Sequence, residues 1–293
     1  MKEQYVGDIG DFGKMLLLKH LASLGFKIGI NWVLTKDDDG TDGKHRDYPW
    51  FGVRHKVNNP LYPKRSKPDD GRDCLACSTD EGMLKEIAQC AVKPRGCRKI
   101  QDLERVLTEV LPDKPAFFRE VYQDGDDRKS KNISALAEFG GTDLTFFDPD
   151  NGLSFQEPQR GKSPKHIYLD ELLTYWAECK SLLLYHHWGR PKGGNLPIIE
   201  GIQSRLENEL KGSTLFTCTF RRGSTRTYFL AVHPAHSGRT PDGELEGVKA
   251  MKPLTLAMDE WRRIAKPCQT THLWQFNPAA PPLPPSPLAP CQR

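Results

Sequence analysis

The sequence predicts an α/β fold: a mostly parallel sheet with helices on both faces and a closing antiparallel hairpin. Three observations carry this expectation. Short apolar runs alternate with stretches whose apolar residues recur at helical spacing, the pattern of strands covered by helices. One such run, Asp143 to Phe147, empties into Asp148-Pro149-Asp150-Asn151-Gly152-Leu153, a turn with two carboxylates, a proline and a glycine. The last two runs, 214–220 and 227–233, are separated only by Arg221-Arg222-Gly223-Ser224-Thr225-Arg226, so they pair as a hairpin.

Taken in order, Lys14 to Leu24 carries Leu16, Leu17, Leu18, Leu21 and Leu24, a helical stripe that stops at Gly25. Lys27 to Leu34 reads as a buried strand, and residues 37–73 are turn-rich and irregular. Helices follow near 79–91 and 100–111, then a strand from Ala116 to Tyr122, a helix over 127–139 and the strand 143–147. The remaining order is helix 169–179, strand 181–186, helix 196–210 and the hairpin. Strands separated by helices imply parallel neighbours, so the arrangement is Rossmann-like.

With 293 residues and 37% hydrophobic content, the chain can bury a full core. The expected organisation is one domain over 1–276, with a basic, cysteine-containing insertion at 43–100. A proline-rich tail at 277–293 holds seven of the 23 prolines and lacks the donors a helix or sheet needs. No apolar run approaches the roughly 20 residues that span a bilayer, and Met1 leads into polar sequence without a signal-peptide core, so a cytoplasmic protein is expected. Eight cysteines in a chain this long do not make a disulfide scaffold. Cys74, Cys77, Cys90 and Cys97 fall within 24 residues, and Cys-x2-Cys is a knuckle spacing, so they are zinc candidates; packing explains the irregular second pair equally. Cys179, Cys218 and Cys268 read as isolated small apolar residues.

The charge is placed unevenly. Residues 43–100 hold 13 Lys/Arg against 7 Asp/Glu, while the rest holds 29 against 31, so the whole basic excess is in that segment. There Arg54, Lys56, Lys64, Arg65 and Lys67 interleave with Trp50, Phe51 and Tyr62, the mixture that phosphate contact and base stacking would use; a solvated polar insertion has the same composition.

In open α/β sheets ligands bind beyond the carboxyl ends of the strands, which makes Asp148, Asp150 and Asn151 the candidate catalytic residues. His186, His187 and Arg190 follow the next strand, and Arg221, Arg222 and Arg226 sit in the hairpin; both groups are candidate substrate contacts. Asp8, Asp11, Asp37, Asp39, Asp148 and Asp150 all fall at element ends. Hard oxygen ligands of this kind suit Mg²⁺ or Mn²⁺ and phosphodiester hydrolysis. Asp37-Asp38-Asp39-Gly40-Thr41 also satisfies the signature of haloacid-dehalogenase-type phosphatases, but Thr35-Lys36 separate it from the strand and the element order does not assemble that site.

The succession strand, helix, strand, helix, strand, hairpin strand resembles the second half of class I S-adenosylmethionine-dependent methyltransferases. Within them the chain is most similar to ribosomal-RNA adenine-N6 methyltransferases. The likeness rests on Gly7-Asp8-Ile9-Gly10-Asp11-Phe12-Gly13-Lys14 running into Lys19-His20, and on Asp148-Pro149-Asp150-Asn151 where that family has Asp-Pro-Pro-Tyr. The same Gly-Asp-Ile-Gly-Asp-Phe-Gly and Asp-Pro-Asp-Asn-Gly patterns resemble an uncharacterised group of bacterial and prophage proteins. The methyltransferase resemblance implies S-adenosylmethionine as cofactor, held by Asp8, Asp11, Lys14, Asp39, Gly40 and Gly43, and a nucleic-acid base as substrate. It departs from the family in the Asp-rich loop 36–43, in Asp150-Asn151 for a Pro-aromatic pair, and in the lack of a recognisable acidic residue ending a second strand. A non-catalytic binding module on the same fold is the remaining reading.

Overall fold

The computed structural model describes residues 1–39, 81–155, 162–189, 194–222, 224–236 and 275–278. Among these residues six α-helices cover a seven-stranded sheet. The helices are α1 (Ile9–Ser23), α2 (Glu81–Val92), α3 (Ile100–Val110), α4 (Arg128–Glu138), α5 (Leu169–Ala177) and α6 (Leu196–Glu209). The strands are β1 (Ile28–Asn31), β2 (Ala116–Phe118), β3 (Leu144–Phe147), β4 (Gly152–Ser154), β5 (His166–Tyr168), β6 (Ser181–His187), β7 (Thr214–Arg222), β8 (Ser224–Val232) and β9 (Gln275–Pro278). The large sheet has the order β2-β1-β3-β6-β8-β7-β9, and β4 and β5 form a separate two-stranded sheet.

β2, β1, β3 and β6 pair in parallel, whereas β8 is antiparallel to both β6 and β7. β7 therefore runs in the same direction as β6, with β8 reversed between them. Side chains alternate across this sheet at the strand period of two. Leu144, Phe146, Leu183, Tyr185 and Tyr228 face the layer containing α1, α2 and α3. Phe147, Leu182, Leu184 and Phe229 face the layer of α4, α5 and α6. Both faces are covered, which is why β1 and β3 are buried at every position.

The structure departs from the sequence expectation at identifiable places. α1 begins five residues before Lys14, because Asp8 caps it by accepting from Gly10 N at 2.8 Å; Gly10 and Gly13 are inside the helix rather than before it. The polar stretch 221–226 is not a loop: β7 runs to Arg222 and β8 starts at Ser224, with Arg222 facing Ser224. β4 and β5 were not expected, and β9 pairs Asn277 and Pro278, the first two residues of the expected tail, with Thr217 and Phe216. Cys179 is disulfide-bonded rather than an isolated apolar residue.

Among the described residues no helix is long and apolar enough to cross a membrane. Most of the basic insertion, including Trp50, Phe51, Tyr62, Cys74 and Cys77, lies outside the described residues, as do Gly40, Gly43, Arg190 and the chain beyond Pro278.

Candidate functional site

β1 connects outward to β2 on one side, while β3 connects to β6 on the other. The crevice between the carboxyl ends of β1 and β3 is thus the topological switch point of the sheet, where open α/β folds hold ligands. Asp148 N donates to Asn31 O at 3.1 Å, which carries the pairing of β1 and β3 one step further. Beyond it the backbone turns sharply. Val33, fully buried and β-branched, sits at φ 45°, where its N–H donates to Asn31 Oδ1 at 3.0 Å. A β-branched residue in left-handed backbone is strained, and such strain persists where surrounding structure enforces it.

The strained turn presents Val33 O to a primary amine. The Met1 amino group donates to Val33 O at 3.0 Å and to Asp148 O at 2.9 Å, and lies 3.1 Å from Asp150 Oδ1. The other Asp150 oxygen accepts from Thr35 Oγ1 at 2.7 Å, which fixes the carboxylate plane. Burial works to raise the Asp150 pKa, but the Met1 amine and the Thr35 hydroxyl outweigh it and hold the carboxyl below its ordinary range. Two carbonyls and one oriented carboxylate thus converge at this turn.

The second part of the site is a buried charge cluster on the α1 face. Lys14 Nζ donates to Asp11 Oδ1 at 2.9 Å and to Asp148 Oδ2 at 2.5 Å, all three side chains being less than 5% exposed. Asp11 Oδ2 accepts from Gly7 N at 2.9 Å. Arg226 donates to Asp8 Oδ1 at 2.5 Å. Tyr185 and Trp32 lie beside the Lys14 ammonium, with centroids at 5.9 and 5.7 Å. Burial opposes the charged form of Lys14, yet Asp11 and Asp148 more than compensate and raise its pKa; burial raises that of Asp11 and pushes Tyr185 up to about 12. Asp148 Oδ1 takes no hydrogen bond from the described residues.

The predicted residues therefore separate into groups. Asp8, Asp11, Lys14, Asp148 and Asp150 do converge, although Lys14 is spent on carboxylates. Arg226 was expected on a loop facing phosphate; it is instead buried on Asp8, because β8 continues through it. Arg221 and Arg222 end β7 and so lie at the same carboxyl edge of the sheet as Asp148. Asn151 is exposed, its N–H bonded to Lys165 O at 2.9 Å, and Asp39 is exposed. His187 ends β6, its Nδ1 3.2 Å from Tyr185 Oη. His186 is half-buried, and a Cβ added at Gly152 (φ 103°) would overlap its ring. It packs against the glycine of the acidic turn. Burial, with His187 and His166 nearby, lowers its pKa to about 4.

Other residues were not foreseen. Glu120 follows β2 by two residues and is exposed. Arg128, buried, forks onto Glu171 at 2.5 and 2.8 Å and donates to His166 O at 2.9 Å, so α4, α5 and β5 are tied together. The signal that could have found it is an arginine at a helix start in a chain whose fifth helix opens with two acids. At the opposite, amino-terminal end of the sheet, Ser181 Oγ lies 2.8 Å from His236 Nδ1, and His236 Nε2 is 3.8 Å from Asp143. This resembles a nucleophile triad, but Ser181 is fully buried and also accepts from His233 N, so it fastens the start of β6.

Of the cysteine candidates, Cys90 is packed in the core, donates to Glu86 O, and has its thiol pushed up to about 11 by burial. Cys97 is exposed. Among the described residues no group of three or more His, Cys, Asp or Glu side chains is arranged to hold a metal. Comparison with known protein families, with curated proteins and with solved structures gives no match.

Proposed function

We propose that this protein binds S-adenosylmethionine at the ends of β1 and β3 and methylates an exocyclic amine of a nucleic-acid base, of the adenine-N6 type. The observation that carries the reading is the convergence of Asp148 and Asp150 with the Val33 and Asp148 carbonyls at the carboxyl ends of β1 and β3. The cofactor has an amino-acid end whose α-ammonium these oxygens suit, and Glu120 past β2 is the acidic residue suited to its ribose hydroxyls. When bound, the cofactor supplies an electrophilic methyl group. The chain's own residues orient the acceptor. Asp148 Oδ1 accepts one N–H of the target amine and the Pro149 carbonyl the other, which raises electron density at nitrogen. Lys14, gripping Oδ2, fixes the direction of Oδ1. The antiparallel β8 supports the reading, since the methyltransferase resemblance implies a sheet that closes with one antiparallel strand.

Metal-dependent phosphodiester cleavage is less well supported. Lys14 occupies the space between Asp11 and Asp148 that a divalent ion would bridge, and Asp8 is paired with Arg226. Titration calorimetry with S-adenosylmethionine beside Mn²⁺ decides between the readings. Asp150→Ala removes a charge-assisted contact worth about 1.5–3 kcal/mol and should weaken cofactor binding roughly 10- to 100-fold. Asp148→Asn should abolish methyl transfer with cofactor affinity nearly kept. Binding of Mn²⁺ that is lost in Asp148→Asn, without any binding of the cofactor, would establish the hydrolytic reading. No binding of either leaves a non-catalytic module.

A further inference from the structure

We propose that Asn31 is a positioning residue of this site: its side-chain amide locks the left-handed bend at Val33 that parts β1 from β3, and so holds open the crevice that takes the ligand. The inference deepens the ligand reading above and rests on it. β1 and β3 pair residue for residue up to Asn31 and Phe147, and Asp148 N reaches Asn31 O one step further. A straight β1 would run on beside Pro149 and Asp150 and fill the crevice with backbone. Instead the chain keeps its register with β2, Leu34 bridging Val121 at the spacing that sets Asn31 opposite Phe118, and leaves β3. It returns to the acidic turn through a side chain, Thr35 Oγ1 donating to Asp150 Oδ2 at 2.7 Å.

Asn31 is fully buried, and both ends of its amide are spent on this bend. Oδ1 accepts from Val33 N at 3.0 Å, and Nδ2 donates to Tyr122 Oη at 3.1 Å. A backbone N–H can only donate, so the planar amide is fixed with its oxygen toward Val33. Tyr122 closes the clasp from the far side, its own N–H donating to Leu34 O at 2.6 Å. The apolar side chains seat as they would in a strand: Trp32 and Leu34 pack in the layer of α1 to α3, and Val33 in that of α4 to α6. What the bend costs is therefore backbone. A β-branched residue stands at φ 45°, and its buried N–H is taken off the ladder with β3, which is unfavourable unless another acceptor meets it. Asn31 Oδ1 is that acceptor, placed two residues back where an asparagine side chain reaches without strain.

Asn31→Val and Asn31→Thr differ by a methyl for a hydroxyl, and a hydroxyl can accept from the N–H two residues on, though more weakly than an amide. By titration calorimetry Asn31→Val should bind S-adenosylmethionine about tenfold or more weakly than the wild type, the loss expected when one hydrogen bond that shapes a site is gone; Asn31→Thr should recover about threefold of it. Leu206→Ala, a buried truncation in the second half of α6, should lower the denaturant midpoint yet leave that affinity unchanged, so instability alone does not produce the effect. Hydrogen exchange gives a readout that needs no ligand: the Val33 amide should lose more protection in Asn31→Val than in Asn31→Thr. If Asn31→Val does not fold, Tyr122→Phe decides in its place, since it frees only the far end of the amide and should weaken binding about threefold. Wild-type affinity in the folded variant, or a Val33 amide as protected as before, would overturn the positioning role and leave the ligand reading intact. Absence of cofactor binding to the wild-type protein would overturn both.

Discussion

Gly10 shows how tightly single residues are committed around the site. A Cβ at that position would fall on the Arg226 guanidinium, which fills the space above the first turn of α1 in order to reach Asp8. Glycine is thus required there for room, not for flexibility. In Gly10→Ala the guanidinium must withdraw, leaving Asp8 with its cap contact to Gly10 N but without a buried counter-charge. Breaking one side of a buried pair costs roughly 3–5 kcal/mol, and the denaturant midpoint should fall accordingly. A midpoint equal to that of the wild type would show that Arg226 relocates at no cost. The motif from Gly7 to Lys14 looked like a ligand loop in the sequence because its acids and glycines are close together. Their actual partners, Ala91, Arg226 and Asp148, lie far along the chain, and no local pattern announces them.

At the scale of elements, legibility followed length and period. α3 and α6 were readable within a residue or two, as were β3 and β6, because several turns or a closed apolar run average out local ambiguity. β4 and β5 were not, since three residues do not establish a period and both strands depend on neighbours for their form. β4 is held against β6 by Gly152 fitting over His186, and this contact has a pH consequence. The ordinary imidazole pKa is near 6.5 and burial lowers that of His186 to about 4. Above pH 6.5 both folded and unfolded chains keep it neutral. Between about 6.5 and 4 the unfolded chain takes up a proton that the folded one refuses, so stability declines by up to ~1.4 kcal/mol per pH unit and levels off below. His186→Gln should flatten the melting temperature over that window relative to the wild type. An unchanged slope would assign the acid sensitivity to other groups.

For the molecule as a whole, the charge cluster is what joins the start of the chain to its middle and end. Lys14 reaches Asp148 across 134 positions and Arg226 reaches Asp8 across 218, so these pairs form only when the complete sheet has assembled. Their sum is informative. Asp8, Asp11 and Asp148 face Lys14 and Arg226, one negative charge in excess, and the cheapest carboxylate to neutralise is the one whose cation keeps another partner. In Asp148→Asn, Lys14 retains Asp11, and the loss should be about 1 kcal/mol or less, which makes this substitution a usable probe of chemistry. Lys14→Met instead leaves Asp11 and Asp148 buried together without their cation, at a cost of roughly 3–5 kcal/mol. The double variant removes one of the stranded charges, so it should be more stable than Lys14→Met alone, with a coupling of about 1–3 kcal/mol between the sites. Denaturant unfolding of the four proteins measures it. Additive losses would mean that Asp148 and Lys14 do not hold one another in solution, and Lys14 would then have no part in aiming Asp148 Oδ1.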